Sequence, residues 1–104
     1  MASDKRYLEF ILDQLSPLAG ISYRAMMGEY IIYFNKKIVG GIYDDRFLVK
    51  KTNASLRLCP DAPAQIPYEG AKEMLMPDVD DAESLQKLIV ATAEELPEPR
   101  KSRK

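Results

Sequence analysis

Four short runs rich in β-branched and aromatic residues, at 21–26, 29–34, 38–43 and 46–50, follow one another with two or three residues between them. That spacing is the tightest constraint in the chain. The connections are Met27-Gly28, Asn35-Lys36-Lys37 and Asp44-Asp45. Links this short join neighbouring antiparallel strands and leave no room for the crossover that parallel pairing requires. A consecutive antiparallel meander is predicted.

Apolar residues recur at helical spacing on either side of the meander. Tyr7, Leu8, Ile11, Leu12 and Leu15 form one stripe, with Ser3 as its expected N-cap and Ser16-Pro17 and Gly20 as its stop. Leu85, Leu88, Ile89, Thr92 and Leu96 form another. There Asp80 and Glu83 have the spacing of a capping box, and Pro97 and Pro99 end the helix. Between sheet and last helix, Thr52 or Asn53 caps a short helix that runs to Cys59 and stops at Pro60. The proline-rich stretch 61–67 reads as a loop and 72–76 as a fifth strand. The expected fold class is α+β: a two-layer sandwich in the order α-β-β-β-β-α-β-α, an antiparallel meander sheet with the N- and C-terminal helices on one face. With 104 residues the chain has the size of one domain, expected over 1–97, and 98–104 is expected to be a basic disordered tail.

Two details bear on the sheet faces. Gly40 and Gly41 sit inside the third strand, where glycine marks a bulge or a close approach. A tightly packed helix is the first explanation, and a ligand or partner backbone the second. The unbroken apolar run around Tyr30 to Phe34 implies that the face away from the helices is also covered, for which a homodimer through the sheet is one solution.

The chain contains no histidine and one cysteine, so the common zinc sets and the Ser-His-Asp and Cys-His mechanisms have no residues to use. Cys59, between Leu58 and Pro60, reads as a small buried hydrophobe. Neither Walker nor Rossmann glycine spacing occurs. Asp44-Asp45 falls in a predicted turn and Asp80-Asp81 at a helix start, where carboxylates have structural roles. No catalytic, cofactor-binding or metal-binding residue is expected, and no cofactor. No apolar run approaches the roughly 20 residues that cross a bilayer, and the N-terminus lacks a secretory apolar block, so a cytoplasmic location without a membrane partner is expected.

The cations suggest a binding surface. In a meander the turn entering the third strand lies at the same end as the exit of the fourth, so Lys36, Lys37, Lys50 and Lys51 are expected to cluster, and Glu29 to lie near Asp44 and Asp45 at the other end. With Arg24, these four lysines are the candidate partner-binding residues, for an acidic protein or another anion. The net charge is −1, yet four of the cations fall within 100–104, and without them 11 cationic side chains face 16 acidic ones. A body of that sign is a poor generic ligand for polyphosphate. Nucleic acid held by the lysine patch and the basic tail is therefore the alternative to a protein partner. The strand aromatics Tyr23, Tyr30, Tyr33, Phe34 and Tyr43 lack the order of a base-stacking RNP motif.

Taken in order, Tyr23-Arg24-Ala25-Met26-Met27-Gly28-Glu29-Tyr30, Ile32-Tyr33, Lys37, Val39-Gly40-Gly41-Ile42 and Asp44-Asp45-Arg46-Phe47-Leu48-Val49-Lys50 resemble the N-terminal domain of the TfoX/Sxy family. Pro67-Tyr68, Gly70-Ala71-Lys72 and the final helix extend the resemblance over nearly the whole chain. It implies a fold similar to secretion-chaperone-like proteins. Two-domain members regulate bacterial natural competence genes, acting with the transcription machinery rather than as enzymes, and the family carries no established catalytic residues. This chain has the basic residues 100–104 where the second domain would begin, so the resemblance implies a stand-alone domain. The expected function is that of a non-enzymatic regulatory or adaptor domain working through protein-protein contacts.

Overall fold

In a computed structural model, which describes residues 4–96, the four expected runs are strands β1 (Ile21–Met26), β2 (Glu29–Phe34), β3 (Lys37–Tyr43) and β4 (Arg46–Lys50). Each pairs antiparallel with the next. The turns explain the tight succession. Met27 and Gly28, Asn35 and Lys36, and Asp44 and Asp45 all have positive φ, the backbone signature of the two-residue I′ hairpin, whose twist matches that of the flanking strands. The second turn thus has two residues, and Lys37 already belongs to β3. Met27 fits its position worst: a methionine at φ 53°, 97% exposed. Asparagine tolerates this conformation and precedes glycine in the most favoured I′ sequence. Met27→Asn is expected to raise stability by about 0.5–1 kcal/mol, read from the urea midpoint at unchanged slope.

The remaining elements are α1 (Lys5–Gln14), α2 (Asn53–Leu58), β5 (Ala64–Gln65), β6 (Met74–Leu75) and α3 (Ala82–Glu94). The sheet has the order β1-β2-β3-β4-β6-β5, so the meander is extended by two very short strands. β6 is the expected fifth strand, reduced to its two central residues. β5 lies in the stretch expected to be a loop. Its ladder with β6 is continued by the Met76 N–H, which donates to the Pro63 carbonyl at 2.9 Å. A two-residue strand leaves no alternation for the sequence to display.

Helices α1 and α3 pack on one face of the sheet, as expected of an α+β two-layer sandwich. Leu8, Ile11 and Leu15 meet Leu85, Leu88, Ile89 and Ala93 over Ile32, Val39, Ile42, Phe47 and Val49. The Gln14 amide donates to the Val79 carbonyl at 2.6 Å, and the Gln86 amide donates to the Gln14 carbonyl at 2.8 Å, tying the end of α1 to α3. Thr52 caps α2 in a capping box with the buried Ser55.

The other two caps are each one residue away from their expected place. Asp4 caps α1 and accepts the Arg6 N–H at 2.8 Å, while Ser3 lies outside the described residues. The Asp4 N–H donates to Asp45 Oδ1 at 2.6 Å, anchoring α1 to the β3–β4 turn. Asp81, not Asp80, caps α3, taking the Ser84 N–H at 3.2 Å and the Ser84 hydroxyl at 3.0 Å. Asp80 is engaged earlier, donating its N–H to the Asp78 carboxylate at 2.9 Å. The expected tail at 98–104 lies outside the described residues.

These caps set an acid sensitivity. Hydrogen bonds from the Ser84 N–H and hydroxyl hold the Asp81 carboxyl below its ordinary value, and the Arg6 side chain does the same for Asp4. A folded-state pKa lowered in this way contributes stability above the ordinary carboxylate pKa, near 4, that is lost as pH falls through the lowered value. Asp81→Asn keeps a capping oxygen but does not titrate. Its denaturation midpoint is expected to fall less steeply than the wild type's below about pH 4.

Candidate functional site

The register of β2 against β3 builds the site. Ile32 pairs with Gly40 and Tyr33 with Ile38, so Val39 is the extra residue of a β-bulge. With regular alternation, Ile38 would share the helix-facing side of Gly40 and Ile42, and Lys37 would face outward. The bulge reverses both. Lys37 faces the helices, and its Nζ donates to the Ala93 carbonyl near the end of α3 at 3.0 Å, where a cation meets the negative pole of the helix. Ile38 faces outward, 38% exposed.

The two glycines permit this path, and the atoms nearest to each belong to neighbouring strands and a tyrosine. A Cβ on Gly40 would meet the Leu48 carbonyl oxygen and, at 3.0 Å, Val49 Cα, which are both backbone of β4. A Cβ on Gly41 would lie 2.8 Å from the Tyr30 carbonyl oxygen and from the Tyr43 ring, which folds over the glycine on the outer face. The expectation of a tightly packed helix is corrected accordingly: the close approach comes from a neighbouring strand and a tyrosine.

On that outer face residues from Pro67 to Glu73 fold back beside Ile31, Ile38 and Tyr43. A groove of about 930 Å³ lies between them. Ile31, Ile38 and Met74 contribute its apolar surface with Tyr43, and Pro67, Tyr68 and Gly70 form the opposite wall. The rings of Tyr43 and Tyr68 are 6.1 Å apart. Burial pushes the Tyr43 hydroxyl pKa up, with smaller contributions from Tyr68, Glu29 and Tyr33, so it remains a neutral hydrogen-bonding group. Arg46 closes one end of this face, donating through Nε to the Tyr43 carbonyl at 3.1 Å and through Nη1 to Gln65 Oε1 at 2.9 Å. Lys50, Lys51, Lys72 and Glu73 also line the groove, and Lys51 pairs with Glu73 at 3.3 Å.

The five cations singled out in the sequence are divided among three places. Lys50 and Lys51 line the groove. Arg24 and Lys36 flank a second, shallower concavity with Ser22, Tyr23 and Tyr33. Lys37 is held against α3. The shared end of the sheet follows from strand order, whereas the diversion of Lys37 to α3 follows from the bulge. At the opposite end Glu29 does meet Asp44, accepting its N–H at 3.1 Å. Sequence reasoning missed Lys72, Ile38, Tyr43 and Tyr68 as one site, because the fold-back of residues 67–73 has no local signature.

The other chemical candidates are structural. The Cys59 thiol is half-buried, donates to the Ser55 carbonyl at 2.9 Å and has its pKa pushed up by burial, the reverse of an activated thiolate. Among the described residues, no group of three or more His, Cys, Asp and Glu side chains is placed to hold a metal ion, and no helix is long and apolar enough to cross a membrane.

Comparison with known proteins returns the family that the residues resembled. The family model described as the TfoX N-terminal domain matches residues 13–96, which include the whole sheet and the groove. An uncharacterized 12.7 kDa protein in the trpE 5' region of Spirochaeta aurantia is 36% identical over 102 residues, covering 96% of this chain and 89% of that protein. No solved structure matches significantly.

Proposed function

The chain belongs to the TfoX N-terminal domain family, and on that premise we propose that it is a non-enzymatic regulatory or adaptor domain that binds another protein through the outer face of its sheet. The observation that carries this reading is the groove: exposed Ile38 and Tyr68 stand beside half-buried Ile31 and Tyr43, on the sheet face opposite the helices. Exposed aromatic and aliphatic anchors with a polar rim are the surface chemistry of protein recognition. A link to transcription or competence regulation fits the family. The absence of histidine and the raised Cys59 thiol favour binding over catalysis.

Affinity capture from cells of the native host, followed by titration of labelled DNA and RNA at two salt concentrations, tests the proposal. A protein retained by the wild type and by Glu9→Lys on α1, but lost with Ile38→Arg in the groove, is expected. Steeply salt-dependent binding of nucleic acid without such a protein would instead identify a nucleic-acid module.

A further inference from the structure

Given the outer face as the protein-binding surface proposed above, on which this step rests, we infer that the groove takes an acidic segment of its partner: apolar side chains seated on Ile31 and Ile38, with flanking carboxylates reaching Lys50 and Lys72. The charge around the groove is one-sided. Three lysines line it against one carboxylate, Glu73, which is engaged by Lys51 at 3.3 Å. Neither Lys50 nor Lys72 has an ion-pair partner among the described residues. A partner that supplies carboxylates gains two charge pairs at the rim of an apolar contact, where charge sets partner choice and association rate.

The helix layer has the opposite sign. On α1, on α3 or beside them, exposed Glu9, Asp13, Asp80, Glu83, Glu94 and Glu95 outnumber exposed Lys5, Arg6 and Lys87. An acidic segment is therefore repelled by the helix layer and drawn to the sheet face. The chain's own continuation has the wrong net sign for such a groove: Leu96 lines it, and the sequence that follows carries one carboxylate, Glu98, against Arg100, Lys101, Arg103 and Lys104. Nucleic acid fits less well, because Arg24 and Lys36 belong to a separate concavity and Lys37 is engaged at α3, so the cations form no continuous track for a phosphate backbone.

The test is selection of dodecapeptides from a random display library on the full chain. The enriched peptides are then synthesised and titrated against wild type, Lys50→Glu/Lys72→Glu and Ile38→Arg, with circular dichroism confirming each fold. The expected consensus places Asp or Glu beside Leu, Ile, Phe or Met. Charge reversal is expected to weaken binding about tenfold or more, and Ile38→Arg to abolish it. A neutral or basic consensus, or affinity indifferent to charge reversal but lost in Ile38→Arg, overturns the acidic partner and leaves the groove as the binding surface. Affinity unchanged by Ile38→Arg overturns both, as does a library that yields no binder. A wild-type dimer in sedimentation that Ile38→Arg converts to monomer would name a second copy as the occupant, and also overturns the inference.

Discussion

Gly40→Ala is expected to lower the unfolding free energy by more than about 3 kcal/mol, a large part of the 5–15 kcal/mol typical of a domain. The new methyl group would point at the Leu48 carbonyl oxygen and the Val49 Cα. Both belong to the backbone of β4, so no side-chain rotation relieves the contact. Either β3 separates from β4, losing the pairs Gly40 with Val49 and Gly41 with Leu48, or the bulge at Val39 is ironed out. The second route is as damaging as the first, because a one-residue slip would withdraw buried Val39 from the core. Gly41→Ala is the informative comparison. It meets the Tyr30 carbonyl at 2.8 Å, but its other neighbour is the far end of the Tyr43 side chain, and a cost of about 1–3 kcal/mol is expected. Urea denaturation of the two variants side by side measures the difference.

Phe47→Ala is expected to cost about 3–5 kcal/mol. Phe47 is among the largest fully buried side chains, 1% exposed, and it pairs with Ile42 beneath the helix layer. Its removal leaves a cavity lined by side chains that α1 and α3 both hold in place. Tyr68→Ala makes the contrast. That ring is 63% exposed on the groove wall, and its loss is expected to change stability by less than about 1 kcal/mol. Thermal or urea unfolding of both variants separates a residue that holds the fold from one that shapes the groove.

Much of this architecture was legible in the residues. The strands announce themselves because β-branched and aromatic runs are punctuated by pairs such as Met27-Gly28 and Asp44-Asp45, which fit only hairpin turns. The helices follow from the stripes through Leu8 and Ile11 and through Leu85, Leu88 and Ile89. Gly40 signalled a close approach without naming the neighbour, since the same glycine serves a helix, a strand or a ligand. The cap of α3 lies one residue from its expected place because Asp80 and Asp81 are chemically equivalent as caps, and the Asp80 N–H is already engaged by the Asp78 side chain.

The site was less legible, and the first reason lies in a single residue. Alternation along β3 assigns Lys37 to the outside and Ile38 to the core, and the extra residue Val39 reverses both. Gly40 and Gly41 mark a bulge or a close approach without saying which, because the bulge is fixed by pairing with β2 on one side and β4 on the other. The groove's second wall depends on β5 and β6, two-residue strands stabilised by pairing rather than by propensity.

The most direct measurement of whether the outer face is where this domain works is photo-crosslinking in the native host, with a photoreactive amino acid placed at Ile38 in one variant and at Glu9 in another. Crosslinked adducts with one protein from position 38, and none with it from position 9, are the predicted result. Adducts with that protein from position 9 alone would contradict the account and move the working surface to the helix layer.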